Sequence, residues 1–150
     1  MKKAVKTFLI VFVTLIILVL LFLLACHMYV NKTNKLSPEE TIKKYMEYWV
    51  DDSTWGMKSL ESKKADFIDV IRNSHRAKEI KIIGIEDETE KEIDSIVEQY
   101  DGKFTKDELK SFLVKFDVVS DDEYWNGEHT FGIRIAYEKQ GWCVLSFGHI

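Results

Sequence analysis

The chain has little with which to staple or chelate itself: two cysteines, Cys26 and Cys143, and four histidines in 150 residues. Cys26 lies within or at the end of an apolar run, so it makes a poor disulfide partner for Cys143. Cys143 sits in the apolar stretch Trp142-Cys143-Val144-Leu145 and reads as a buried, reduced thiol. No cysteine–histidine spacing of the metal-binding kind occurs, so no metal and no other cofactor is expected, and the fold must stand on its core. One proline and seven glycines give no sign of a long disordered stretch, and no internal repeat is visible. A basic excess is missing too. With Lys2, Lys3 and Lys6 set aside, 18 basic side chains face 25 acidic ones, a net charge of about −7. That balance argues against nucleic acid as a partner and against a polybasic grip on anionic lipid.

What the chain does have is a long apolar run. Phe8 to Val30 contains no charged side chain, and only Thr14 and His27 are clearly polar. As a helix it is about 35 Å long, enough for a hydrocarbon core of about 30 Å. Lysines crowd the short leading end, which predicts that this end stays inside and the remainder outside. Two fates are open. In one, residues 8–30 are a retained single-pass anchor. In the other they are a lipoprotein signal, because Leu23-Leu24-Ala25-Cys26 resembles a lipobox and Cys26 would carry the lipid. Either fate tethers the rest to the membrane.

About 115 residues from Leu36 onward make one domain. Ser37 is a good N-cap, Pro38 suits the first helical position, and Glu40 completes a capping box. Ile42, Tyr45, Met46 and Trp49 then form one apolar stripe. Asp51-Asp52-Ser53 ends this helix and caps a short second one through Trp55, Met57 and Leu60. A weaker helical stretch holds Phe67, Ile68 and Ile71. From Glu79 the period becomes two: Ile80, Ile82, Ile83 and Ile85 predict a strand, with Gly84 as a bulge or a point of close approach. Thr89 to Tyr100 reads as a helix with a Thr89–Glu92 capping box, a stripe of Ile93, Ile96, Val97 and Tyr100, and a stop at Gly102. Phe112, Val114, Phe116 and Val118 alternate, as do Phe131, Ile133, Ile135 and Tyr137. A last strand, Trp142 to Phe147, follows a tight turn at Lys139-Gln140-Gly141. Consecutive strands on short connections pair antiparallel. The expected class is α+β: a transmembrane or signal helix, then helices packed on one face of a curved antiparallel sheet.

Pro38-Glu39-Glu40 through Tyr45, Tyr48 and Trp49, then Gly56-Met57-Lys58-Ser59-Leu60, then strands ending in Gly141-Trp142 and Phe147-Gly148, resemble the nuclear-transport-factor-two-like (cystatin-like half-cone) domains. More narrowly, they resemble an uncharacterised group of these found as lipoproteins or membrane-anchored proteins in Firmicutes-type bacteria. The apolar run and its flanks make residues 1–30 the cytoplasmic tail and membrane anchor or lipoprotein signal and 31–36 the linker, and the resemblance, which covers 37–150, implies an extracytoplasmic half-cone domain there. It also implies a concave site of the kind that isomerases and dehydratases of this fold use.

The polar residues do not build a catalytic set. Lys115 and Asp117 alternate away from the Phe112/Phe116 face, and Arg134 and Glu138 share a polar strand face where they make at most a weak surface pair. His75 lies in a loop, His129 opens a strand as an exposed residue, and His149 lies at the chain end. No two of them share an inward face by spacing, so no general acid–base pair is expected. The acidic run from Glu86 to Asp101 lacks the spacing of a calcium loop and reads as solvated surface, as does Asp121-Asp122-Glu123. Trp125, between Tyr124 and Asn126, is the candidate for an exposed contact. The expected function is non-enzymatic: a membrane-tethered envelope module that binds a small apolar ligand or another envelope protein. The alternatives are a self-assembling homodimer or secretion-complex component, and an isomerase-type enzyme.

For a retained span, Cys26→Ala should change neither the location nor the size of the protein. Intact mass of the membrane-extracted chain checks this, because a blocked lipoprotein signal would leave the mutant heavier by the uncut leader.

Overall fold

In the computed structural model, which describes residues 2–30, 34–65 and 76–149, the apolar run forms one helix, α1, from Lys2 to Val30. Its segment Thr7–Met28, 22 residues of mean hydropathy 3.5, is long and apolar enough to cross a bilayer, and the rest of the chain buries none of it. Such a helix is compatible with a membrane anchor or a signal segment.

The domain begins with the predicted cap. Ser37 Oγ accepts from the Glu40 N–H at 3.3 Å while Glu40 Oε2 accepts from the Ser37 N–H at 2.7 Å. These bonds, the Ser37 backbone first, hold the Glu40 carboxyl below its ordinary value. They start α2, Pro38–Val50, whose Ile42, Tyr45, Met46 and Trp49 are all buried. Asp52, with φ of 51°, turns the chain. Ser53 Oγ then accepts from the Gly56 N–H at 3.3 Å and opens α3, Thr54–Leu60. Gly56 is required by closeness: a Cβ there would lie 2.6 Å from the Tyr48 ring. The stretch around Phe67, Ile68 and Ile71, and His75 after it, lies outside the described residues.

Four strands follow: β1 Ala77–Asp87, β2 Leu109–Ser120, β3 Gly127–Glu138 and β4 Gly141–His149. They pair antiparallel in sequence order, β1-β2-β3-β4, with short connections after β2 and β3 and a helix between β1 and β2. The register shift between Ile82 and Gly84 puts a bulge where Gly84 predicted one. Further shifts lie between Ala77 and Glu79 and opposite Arg134 and Ile135, where Leu145 is the extra residue of β4. Gly141, at φ of 109°, closes the two-residue β3–β4 turn.

The expected packing on one face is corrected. α2 and α3 cover the face carrying Phe112, Val114, Phe116, Phe131, Ile133 and Phe147. The helix Thr89–Gln99, α4, packs on the opposite face, with Ile96 and Tyr100 against Leu109, Ala136 and Leu145. Those outward residues are apolar and need a cover, and the Asp87–Thr89 turn carries the chain around the sheet to provide it. The Thr89–Glu92 capping box does not form either. Thr89 Oγ1 accepts from the Ser111 N–H at 3.1 Å and Glu92 Oε2 accepts from Ser111 Oγ at 2.8 Å, so both side chains fasten α4 to β2. The stop at Gly102 holds, with φ of 69° following Asp101 at 52°.

Within the stretch read as linker, Asn34 is already fastened. Its N–H donates to the Gln140 carbonyl at 2.6 Å, its Nδ2 to the Trp142 carbonyl at 3.0 Å, and its Oδ1 accepts from the Leu36 N–H at 3.2 Å. A side chain at Gly141 would strike Asn34, since its Cβ would lie 2.6 Å from the Asn34 carbonyl oxygen.

Trp49 is 5 % exposed and meets Phe147 edge-on at 5.3 Å between ring centroids. Trp49→Ala should therefore cost about 3–5 kcal/mol, the usual cost of emptying a large aromatic site. Denaturant unfolding of residues 34–150 measures it, and an unchanged midpoint would contradict this packing.

Candidate functional site

The inner face of the sheet, where a half-cone would carry its cavity, is filled by aromatic rings. Trp49 packs on Trp125 at 5.9 Å, Tyr45 on Phe147 at 5.8 Å, Phe147 on Phe131 at 5.1 Å and Phe131 on Phe116 at 5.2 Å. Each such pair adds about 0.5–1.5 kcal/mol beyond burial.

This layer corrects two expectations. Trp125 is no exposed contact: it is 4 % exposed, while its neighbour Tyr124 is 97 % exposed. The reason is a 3-10 turn, Glu123–Trp125, capped by Asp122 Oδ1 accepting from the Tyr124 N–H at 3.0 Å, which rolls Trp125 inward and Tyr124 outward. His129 is half-buried, with its ring 4.1 Å from that of Trp125 and Nε2 3.0 Å from the Trp125 carbonyl oxygen. A signal was available, because His129 shares its strand parity with Phe131, Ile133 and Ile135.

A second polar group reaches this layer at Tyr45, whose hydroxyl donates to Glu61 Oε1 at 3.0 Å. The ring contacts that link Tyr45 to His129 run through Phe147 and Phe131. Aromatic rings therefore lie between the two polar groups along this path.

The other sequence candidates lie on the surface. Lys115 pairs with Glu128 at 2.6 Å. Arg134 and Glu138 do not pair with each other. Arg134 reaches Gln99 and Glu92, and Glu138 accepts from Ser62 Oγ and from Gln140 Nε2. The acidic run is dispersed among lysines: Asp87 with Lys110 at 3.3 Å, Glu88 with Lys91 at 2.7 Å, and Asp94 with Lys106. Among the described residues no three His, Cys, Asp or Glu side chains converge as metal ligands. Cys26 is the one half-buried residue between Thr7 and Met28.

The concavity that sequence spacing could not show lies between α2 and the edge strand β1. It is a groove of about 540 Å³ with Met46, Val50, Ile80 and Ile82 as floor and Lys43, Glu47, Asp51, Lys78 and Glu79 as rim. An apolar floor with a rim of both signs suits an extended amphipathic ligand. Two secondary-structure elements meet here only in three dimensions, which hides the groove from sequence.

Compared with protein-family models, with curated proteins and with solved structures, the chain matches none. The class defined by the structure itself is an α+β domain built on a four-stranded antiparallel open sheet, preceded by an apolar helix.

Cys143 is buried, and desolvation, aided by the charge of Glu138, pushes its thiol up to about 12 from the ordinary value near 9. A raised value keeps the folded state protonated while the unfolded chain ionises. This group's contribution to stability is therefore full below pH about 9 and lost as pH rises towards about 12. At pH 8 a thiolate-selective reagent should label Cys143 far more slowly in the folded than in the urea-unfolded domain. Equal rates would mean an open site.

Proposed function

We propose that the chain is a membrane-tethered, extracytoplasmic binding or accessory module of the bacterial cell envelope, non-enzymatic, and a relative of the half-cone domains. The observation that carries this reading is the pairing of an unburied 22-residue apolar helix with a domain that opens a groove instead of a catalytic pocket. Lys2, Lys3 and Lys6 ahead of the span favour an inside amino terminus. The half-cone kinship draws support from α2 lying across the inner face of a meander of four strands. The groove occupant in this reading is an extended apolar segment of another envelope protein. It would lie along β1, a strand with β2 on one side and at the edge of the sheet on the other.

A photo-crosslinking residue at Ile80 in intact cells should give one discrete adduct with a different envelope protein, and the same residue at Lys115 should give none. An adduct of twice the chain mass would favour self-assembly. No adduct from either position would count against a protein ligand.

A further inference from the structure

The tether fixes which end of the domain meets the membrane. Three residues separate Val30, the last of α1, from Asn34, so the reach between them is at most about 14 Å. Asn34 is bonded to Gln140 and Trp142 across the β3–β4 turn. α1 also lies against α3. With α1 in a bilayer, the β3–β4 turn and α3 stand at the headgroup layer. Tyr124, at the far β2–β3 connection, points away from it.

Lys103 and Lys139, at that end, make no ion pair among the described residues. With Lys64 they border a cleft of about 450 Å³, also lined by Phe104, Tyr137, Glu108 and Glu138. Lys64 is held in place, its Nζ 4.1 Å over the Phe104 ring and donating to the Lys103 carbonyl at 3.2 Å. Both acids have donors of their own: Thr105 for Glu108, and Ser62 and Gln140 for Glu138. Tyr137, which lines the cleft, is 53 % exposed and is an aromatic type that favours a membrane interface.

We propose that this end of the domain docks on anionic phospholipid headgroups, with a lipid phosphate in the cleft between Lys64, Lys103 and Lys139. The inference rests on α1 being a retained span. Docking would hold the domain in one orientation, with the groove between α2 and β1 kept clear of the bilayer.

The test uses the full chain, Cys26→Ala, in nanodiscs of phosphatidylcholine with or without about 30 mol % phosphatidylglycerol. A dye is placed at Gln140→Cys or at Tyr124→Cys, which keeps all three lysines, and quenching by a headgroup spin-labelled lipid is read. Quenching at position 140 should exceed that at 124, and phosphatidylglycerol should raise it about fivefold, the size of effect expected per surface lysine. Lys64→Gln with Lys103→Gln should abolish the rise, and arginine at both positions should keep it. Equal quenching in the two bilayers, or a rise that survives the glutamine pair, would overturn the docking proposal while leaving the anchor reading intact. Release of the chain from cell membranes by alkaline carbonate would overturn the anchor reading and the inference with it.

Discussion

The domain depends on the contact of one helix stripe with one strand face. Trp49, at the end of the α2 stripe, fits between Phe147 of β4 and Trp125 of the β2–β3 connection. Through Phe147 and Phe131 the same layer reaches Phe116 in β2. Chain segments some 70 to 100 residues apart in sequence are thus joined in one continuous ring layer. Because interiors are close-packed, that layer leaves no room for a deep central cavity. Binding capacity is displaced to the margin, where α2 and β1 diverge.

The second cluster behaves as a clasp. Ile96, Tyr100 and Phe104 close over Leu109, Ala136 and Leu145, all of them buried. Polar bonds fix their register. Ser111, 2 % exposed, is satisfied by Thr89 at its backbone and by Glu92 at its hydroxyl. A buried hydroxyl without such a partner would cost about 1–3 kcal/mol, so Glu92 does more for the domain as an acceptor than as a surface charge. The exposed lysine–carboxylate pairs nearby contribute little by comparison.

Asn34 fixes where the chain enters the domain. Its bonds to Gln140 and Trp142 hold it across the β3–β4 turn. Gly141 is part of that device, since its positive φ and the nearness of Asn34 leave no space for a side chain.

Local rules legible in the chain specified much of this. Ser37, Pro38 and Glu40 determined where α2 starts. The 3.6-residue stripe determined which of its residues are buried, and strict alternation did the same for Phe112 to Val118 and Phe131 to Ile135. These rules work because each signal and its effect lie within a few residues. The tertiary structure decided the rest. Thr89 and Glu92 carry a cap motif, but Ser111 of a distant strand competes for both side chains and wins. Trp125 sits in an acidic loop, but one turn of 3-10 helix brings it inside against Trp49. His129 looked exposed beside Glu128 and is held against Trp125. That α4 lies on the far face follows from Leu109, Ala136 and Leu145 coming together on that face, which no single segment displays. The same holds for the groove and for the lysine cleft: each is a meeting of elements far apart in the chain. Spacing along one segment specifies what that segment buries, but only the packing of several decides what they enclose.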